Sequence, residues 1–261
     1  MLINVSDINR YVFCPRTIYF SNVLKIAPKL SIEQEKGILG HAIRKEFSLR
    51  QAKIIAKIKD IDEIRPILME ELGNILRDIP HIYREKIETI EIEKILPEIK
   101  PEIVEEIKIM EKRVRATIEK FGITEALRRV TPWKVEFSLR SERMKLSGRV
   151  DKVMKDESYF PIEIKTGNPA ESIWDADRLQ VCAYAMLLEE KLNVRIPYGF
   201  VEYTRIQERR PVMTSEKLRR NVLYTRDKIF EILSGELPEI CPHGSGKKCE
   251  SCGFKDVCYE V

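Results

Sequence analysis

The 261-residue sequence lacks any run of about 18 apolar residues, so no membrane span is expected. Its opening, MLINVSDINR, lacks a signal-peptide pattern, and the expected protein is cytoplasmic. No repeat and no low-complexity tract is visible. A dominant charge sign is also lacking: 46 Lys and Arg stand against 42 Asp and Glu, a net charge of +4. That balance permits nucleic-acid binding without demanding it. What is present is 43% hydrophobic content, enough for a real core in one large domain or two small ones. Abundant Lys, Glu and Ile give a heat-adapted flavour. Six cysteines in a reducing compartment point away from disulfides and towards metal or catalysis.

Residues 4–20 read as a short helix, then Cys14-Pro15, then a further helical turn. A second helix spans 33–58 and carries Gly37, Gly40 and His41. From 60 to 122 Ile, Glu and Lys dominate. Ile103, Ile107, Met110, Val114, Ile118 and Phe121 form a helix stripe, expected to start at Pro101 and stop at Gly122. This region reads as helical, with solvated charges and no chemistry of its own. Trp133–Leu139 is a strand. Asp175–Leu192 is a helix with Leu179, Cys182, Ala183, Met186 and Leu187 on its apolar side. Tyr198–Tyr203 is a strand, and a last helix follows Ser215 and closes at Gly235. The order predicts an α/β fold: a central mixed sheet flanked by helices.

The stretch Gly148–Lys165, GRVDKVMKDESYFPIEIK, predicts a hairpin with Lys155-Asp156-Glu157-Ser158 as its turn. Reflection about Glu157 sets Asp151 opposite Glu163, with Cβ atoms about 5 Å apart. Glu163 and Lys165 share a face, and Ile162 and Ile164 take the other. An exposed hairpin can carry such acids, but Asp and Glu are poor strand formers and these arms are otherwise apolar. Two facing carboxylates repel unless a cation lies between them. Mg²⁺ or Mn²⁺, which prefer carboxylate and water oxygens, answers that need.

The tail CPHGSGKKCESCGFKDVC holds Cys249, Cys252 and Cys258 as C-x2-C-x5-C. Such thiols suit zinc or an iron–sulfur cluster. A fourth ligand must come from elsewhere: Cys14, Cys241 or His243. Spacing does not choose between the metals, and Cys241 would complete a four-thiolate zinc site without Cys14. Cys182, on an apolar helix face, reads as a buried structural thiol.

Several pieces, in order, resemble the RecB-like nucleases of the PD-(D/E)xK superfamily, and more closely the CRISPR-associated exonucleases of the fourth Cas family. They are Cys14-Pro15-Arg16 with Tyr19, Gly37-Ile38-Leu39-Gly40-His41, Gly148-Arg149-Val150-Asp151, Glu163-Ile164-Lys165, Gln180 and Tyr184 in QVCAY, and the C-x2-C-x5-C tail. GxxD and ExK are weak singly; the ordered set is specific. Residues 60–122 match no part of the pattern, and Cys241 is extra to it.

The resemblance implies a restriction-endonuclease-like core at 131–235. It also implies N-terminal helices at 1–59, a helical insertion at 60–130 and an iron–sulfur segment at 236–261. It implies a 4Fe-4S cluster on Cys14, Cys249, Cys252 and Cys258, tying the chain ends together. It implies Mn²⁺ or Mg²⁺ on His41, Asp151, Glu163 and the Ile164 carbonyl, with the imidazole tilting the choice towards Mn²⁺. Lys165 would orient or help deprotonate the attacking water, and Gln180 and Tyr184, four apart on one helix face, would reach the substrate backbone. Glu136, on the neighbouring strand, is a further candidate. Arg140, Arg143, Lys145, Arg149 and Arg178 could steer phosphate. The implied activity is 5′-to-3′ hydrolysis of single-stranded DNA for CRISPR spacer acquisition, an antiviral defence, beside the system's integrase proteins. Two other readings are a non-catalytic DNA-binding scaffold subunit, which the intact Asp151, Glu163 and Lys165 argue against, and a zinc-stapled repair nuclease.

Overall fold

The computed structural model describes residues 1–88, 90–167, 169, 171–206, 208–240 and 244–260. β1 (Ile3–Asn4) leads into α1 (Val5–Phe13), capped by the Asn4 side chain. Pro15 opens α2 (Pro15–Ile18), and a π-helical turn, Tyr19–Val23, continues it. α3 (Ile32–Ala56) starts at a reciprocal cap: Ser31 Oγ accepts from the Gln34 N–H, and Gln34 Oε1 accepts from the Ser31 N–H. α4 (Ile64–Ile82), α5 (Arg84–Ile87) and α6 (Ile92–Val130) follow.

The helix expected from Pro101 to Gly122 breaks at Gly122 as expected but starts earlier. α6 begins at Ile92, holds Pro97 and Pro101 inside it, and resumes after a break where Gly122 takes φ 74. Ile95, Ile99, Ile103 and Ile107, four apart, are all buried in the core shared with α3 and α4. That burial outweighs the hydrogen bonds the prolines remove. Phe121, expected on the stripe, is exposed, with the Arg129 guanidinium 4.2 Å from its ring centre.

The second half runs β2 (Lys134–Ser141), β3 (Leu146–Lys155), β4 (Tyr159–Lys165), α7 (Asp175–Leu192), β5 (Tyr198–Tyr203), β6 (Glu208–Met213), α8 (Glu216–Leu233), α9 (Gly246–Glu250) and α10 (Lys255–Cys258). The sheet order is β1-β3-β4-β5-β6, with β2 on the other edge of β3. β4 and β5 are parallel, with α7 between them in the chain; β2, β3 and β4 pair antiparallel, as do β5 and β6. The mixed sheet flanked by helices is the expected α/β fold. β6 was not anticipated. Its sequence, ERRPVM, has no apolar alternation, and Pro211 is tolerated because β6 is an edge strand.

α1, α7 and α8 share one core with β3, built on Val5, Ile8, Val150, Ala183, Leu187 and Val222. α3, α4 and α6 share another, built on Ile43, Phe47, Leu68, Ile75 and Ile103. A cavity of about 540 Å³ lies between this second core and the sheet, and Arg44, Glu106, Lys152, Glu202 and Arg209 are among its walls.

One edge of β3 positions the site. On the opposite edge β2 pairs with Leu146 to Val150 and with Lys152 and Val153. On this edge β1 takes Leu146 and Ser147, and β4 takes Lys152 to Lys155. Gly148 to Asp151 lie between them without a strand partner on this edge.

Candidate active site

The hairpin register is Lys155↔Tyr159 through Lys152↔Ile162, so the reflection about Glu157 holds and the next rung is Asp151 with Glu163. The ladder stops there. The Ile164 N–H donates instead to Asp151 Oδ2 at 2.7 Å. The other oxygen, Oδ1, lies 3.4 Å from His41 Nε2, which α3 delivers. Burial opposes ionisation of Asp151, but His41 and the Ile164 N–H more than offset it and hold the carboxyl below its usual range. Burial likewise disfavours the imidazolium of His41, yet the Asp151 carboxylate raises its pKa overall. At Glu163 burial and the Asp151 charge push the carboxyl up to about 8, against the pull of Lys165 and His41.

Lys165 Nζ sits among three acceptors: Glu163 Oε1 at 3.2 Å, Asp177 Oδ1 at 3.0 Å and Gln180 Oε1 at 3.0 Å. Burial works against its charge, but Glu163 and Asp177 raise its pKa above the usual lysine value. Asn9 Nδ2 binds Asp177 Oδ1 at 3.1 Å and Gln180 Oε1 at 3.2 Å, which ties α1 to the same cluster. The Tyr184 oxygen is hydrogen-bonded to the Gln180 side chain, and burial pushes its phenol up. The ring needs Gly148: a Cβ there would stand 2.9 Å from Tyr184 Cε1 and 3.0 Å from Val5 Cβ. Asp177 and Asn9 were not read from the sequence. Asp177 had a signal, since it lies one turn before Gln180 on the same helix face; Asn9 had none.

Glu136 comes to this place from β2. Its carboxylate, His41 and Asp151 offer ligand atoms all within 4.8 Å of one another, among the described residues the one such set of His, Cys, Asp or Glu side chains. Glu163 stands outside that trio but feels the charge of both Asp151 and His41. One imidazole with two carboxylates is a donor set for a divalent cation. Of the five proposed phosphate-steering cations, Arg149 pairs with Glu136 at 3.4 Å, and Arg178 is exposed one residue beyond Asp177. Arg140, Arg143 and Lys145 lie around the β2–β3 turn, paired with Glu142, Glu190 and Glu142. Lys145 is six residues along the chain from Asp151, about 20 Å of extended strand.

The structure also brings Cys14 to the tail. Cys14, Cys249, Cys252 and Cys258 line one small cavity with Phe13. Burial pushes the Cys14 thiol up, and Cys252 and Cys258 add to it. A clasp surrounds them. Lys29 N–H donates to the Gly253 carbonyl at 2.9 Å, Lys29 Nζ pairs with Asp256 at 2.6 Å, and Phe20 stacks on Phe254 at 5.6 Å. A Cβ at Gly253 would meet the Lys29 carbonyl at 2.5 Å, so only glycine allows this approach. Cys241 and His243 lie outside the described residues. Cys182 is fully buried in the main core, where its thiol is pushed up to about 12.

No helix among the described residues is long and apolar enough to cross a membrane. The family model of the PD-(D/E)XK nuclease superfamily matches residues 3–259. The chain is 30% identical over 129 residues to a CRISPR-associated exonuclease Cas4/endonuclease Cas1 fusion of Leptospira interrogans, a match spanning 47% of this chain and 24% of that protein. It is 25% identical over 153 residues to a CRISPR-associated exonuclease Cas4 of Francisella tularensis subsp. novicida, spanning 58% of this chain and 72% of that protein.

Proposed function

The chain belongs to the PD-(D/E)XK nuclease superfamily, and we propose that it is a divalent-metal-dependent exonuclease that degrades single-stranded DNA from the 5′ end. The observation that carries the reading is the gap in the β3 edge, where Asp151 is fixed by Ile164 with its other oxygen towards His41, next to a charged Lys165. His41, Asp151, Glu163 and the Ile164 carbonyl would hold Mn²⁺ or Mg²⁺. The Ile164 carbonyl faces β3 because its own N–H does, the two groups of a strand residue pointing to one side. When bound there, the ion supplies Lewis-acid activation of water and stabilises charge on the phosphate.

Lys165 stays an ammonium, so its part is to donate hydrogen bonds to an attacking water or a phosphate oxygen rather than to take a proton. Asp177 and Gln180 hold it in place, and Asn9 holds them. Tyr184 packs behind Gln180 as part of that support. Arg149 and Arg178 would meet the strand's phosphates.

Cys14, Cys249, Cys252 and Cys258 would bind a 4Fe-4S cluster. Support comes from the four gathered thiols, with Lys248 and Lys255 beside them as counter-charge. Both relatives are exonucleases by name, and one is fused to a Cas1 endonuclease. That pairing supports a role in CRISPR spacer acquisition beside the integrase proteins. The test is digestion of DNA labelled at either end, single- or double-stranded, with Mn²⁺, Mg²⁺ or chelator. Mn²⁺-dependent shortening of single strands from the 5′ end is expected; cleavage indifferent to chelator would end the reading.

A further inference from the structure

Glu136 sits in mid-strand with φ 52, in the left-handed region. Side chains other than glycine take that region at a cost, and for a strand residue it is an outlier. The distortion does not come from a slipped register. Val135 pairs with Lys152 and Phe137 with Val150, so pairing resumes unchanged on either side, and Glu136 is the residue facing Asp151. Its carboxylate is also held asymmetrically. Lys45 at 2.5 Å and Arg149 at 3.4 Å both bind Oε2. Oε1 carries no hydrogen bond among the described residues. Lys45 is four residues after His41, so one face of α3 delivers both: His41 to Asp151 and Lys45 to Glu136.

We propose that Glu136 is a further ligand of the divalent ion, presenting Oε1 alongside His41 and Asp151 while Lys45 and Arg149 fix Oε2. The inference rests on the metal-dependent reading above. An octahedral ion with ligands about 2.1 Å away spaces neighbouring donors about 3 Å apart and opposite donors about 4.2 Å apart, and the trio's atoms fall within 4.8 Å of one another. The left-handed backbone is then retained for the ligand it positions, at the expense of local stability.

The test is Mn²⁺ affinity, followed by the electron paramagnetic resonance of free Mn²⁺ titrated into the metal-stripped full chain, with melting of the same samples. Glu136→Gln keeps size and removes charge; it is expected to weaken Mn²⁺ binding about 10–100-fold. Glu136→Gly is expected to weaken it as much and to melt above Glu136→Gln without metal, because glycine takes φ 52 freely. If Glu136 serves only as partner to Lys45, Glu136→Gln and Lys45→Met lower the melting temperature and leave Mn²⁺ affinity within twofold of the parent. That result, with Asp151→Asn abolishing binding in parallel, overturns the inference alone. Asp151→Asn binding like the parent would instead remove the metal centre and this inference with it.

Discussion

The Ile164 N–H donates to Asp151 Oδ2 at 2.7 Å, a side chain taking the place of the next backbone partner in the β3–β4 ladder. One oxygen of Asp151 thus serves the fold and the other faces His41. The strands part at that point, and the space between them is where the chemistry is proposed to occur.

Metal binding should depend on pH with a definite sign. Glu163 is pushed up to about 8, so it is largely protonated at neutral pH and must lose its proton to ligate, and the upward shift of His41 acts in the same direction. Mn²⁺ affinity is expected to rise with pH and level off above about 8. Calorimetry in buffers of different ionisation enthalpy should show proton release on binding at pH 7; none would contradict the ligand set.

The same carboxyl should cost stability in the metal-free chain. Between its ordinary 4.5 and about 8 the folded state holds a proton at Glu163 that the unfolded state has lost. Stability from this group therefore falls as pH rises through that window. Glu163→Gln should raise the metal-free melting temperature at pH 8 and change it little near pH 4.

Cys14→Ala should remove the iron and loosen the whole chain. A cross-link closing so long a loop contributes about 4–5 kcal/mol by loop entropy, roughly 10 °C or more of melting temperature at this size. Cys182→Ala should leave the iron content unchanged. Equal iron in parent and Cys14→Ala would contradict the four-thiol assignment.

Away from the site, Glu202 joins Lys152 at 2.7 Å to Arg209 at 2.6 Å, all three along the cavity wall. Burial resists its charge, but the two cations hold it down to about 2. Its contribution is complete above the ordinary 4.5 and is lost as pH falls towards about 2. Glu202→Gln, which strands Lys152, should cost about 3–5 kcal/mol. Removing both charges with Lys152→Met and Glu202→Leu should cost much less, a difference that chemical denaturation resolves.

The hairpin was legible because its turn is strongly polar and its arms are apolar, which fixes the centre and so the Asp151–Glu163 rung. α7 and β5 were read to the residue. β6 was not, because an edge strand needs no buried face. The start of α6 was misplaced because Pro101 looks like a boundary until the isoleucines before it are seen to be buried. The meeting of Cys14 with the tail could not come from spacing, only from family resemblance. Glu136 could be placed on a strand, but its left-handed backbone has no signature in WKVEFSL.

The most direct measurement is single-turnover cleavage of single-stranded DNA at saturating Mn²⁺ by the parent and by Asp151→Ala, both with intact iron content. The account predicts a loss of at least about 100-fold, equivalent to roughly 3 kcal/mol of transition-state stabilisation. Cleavage by Asp151→Ala at the parental rate would contradict it.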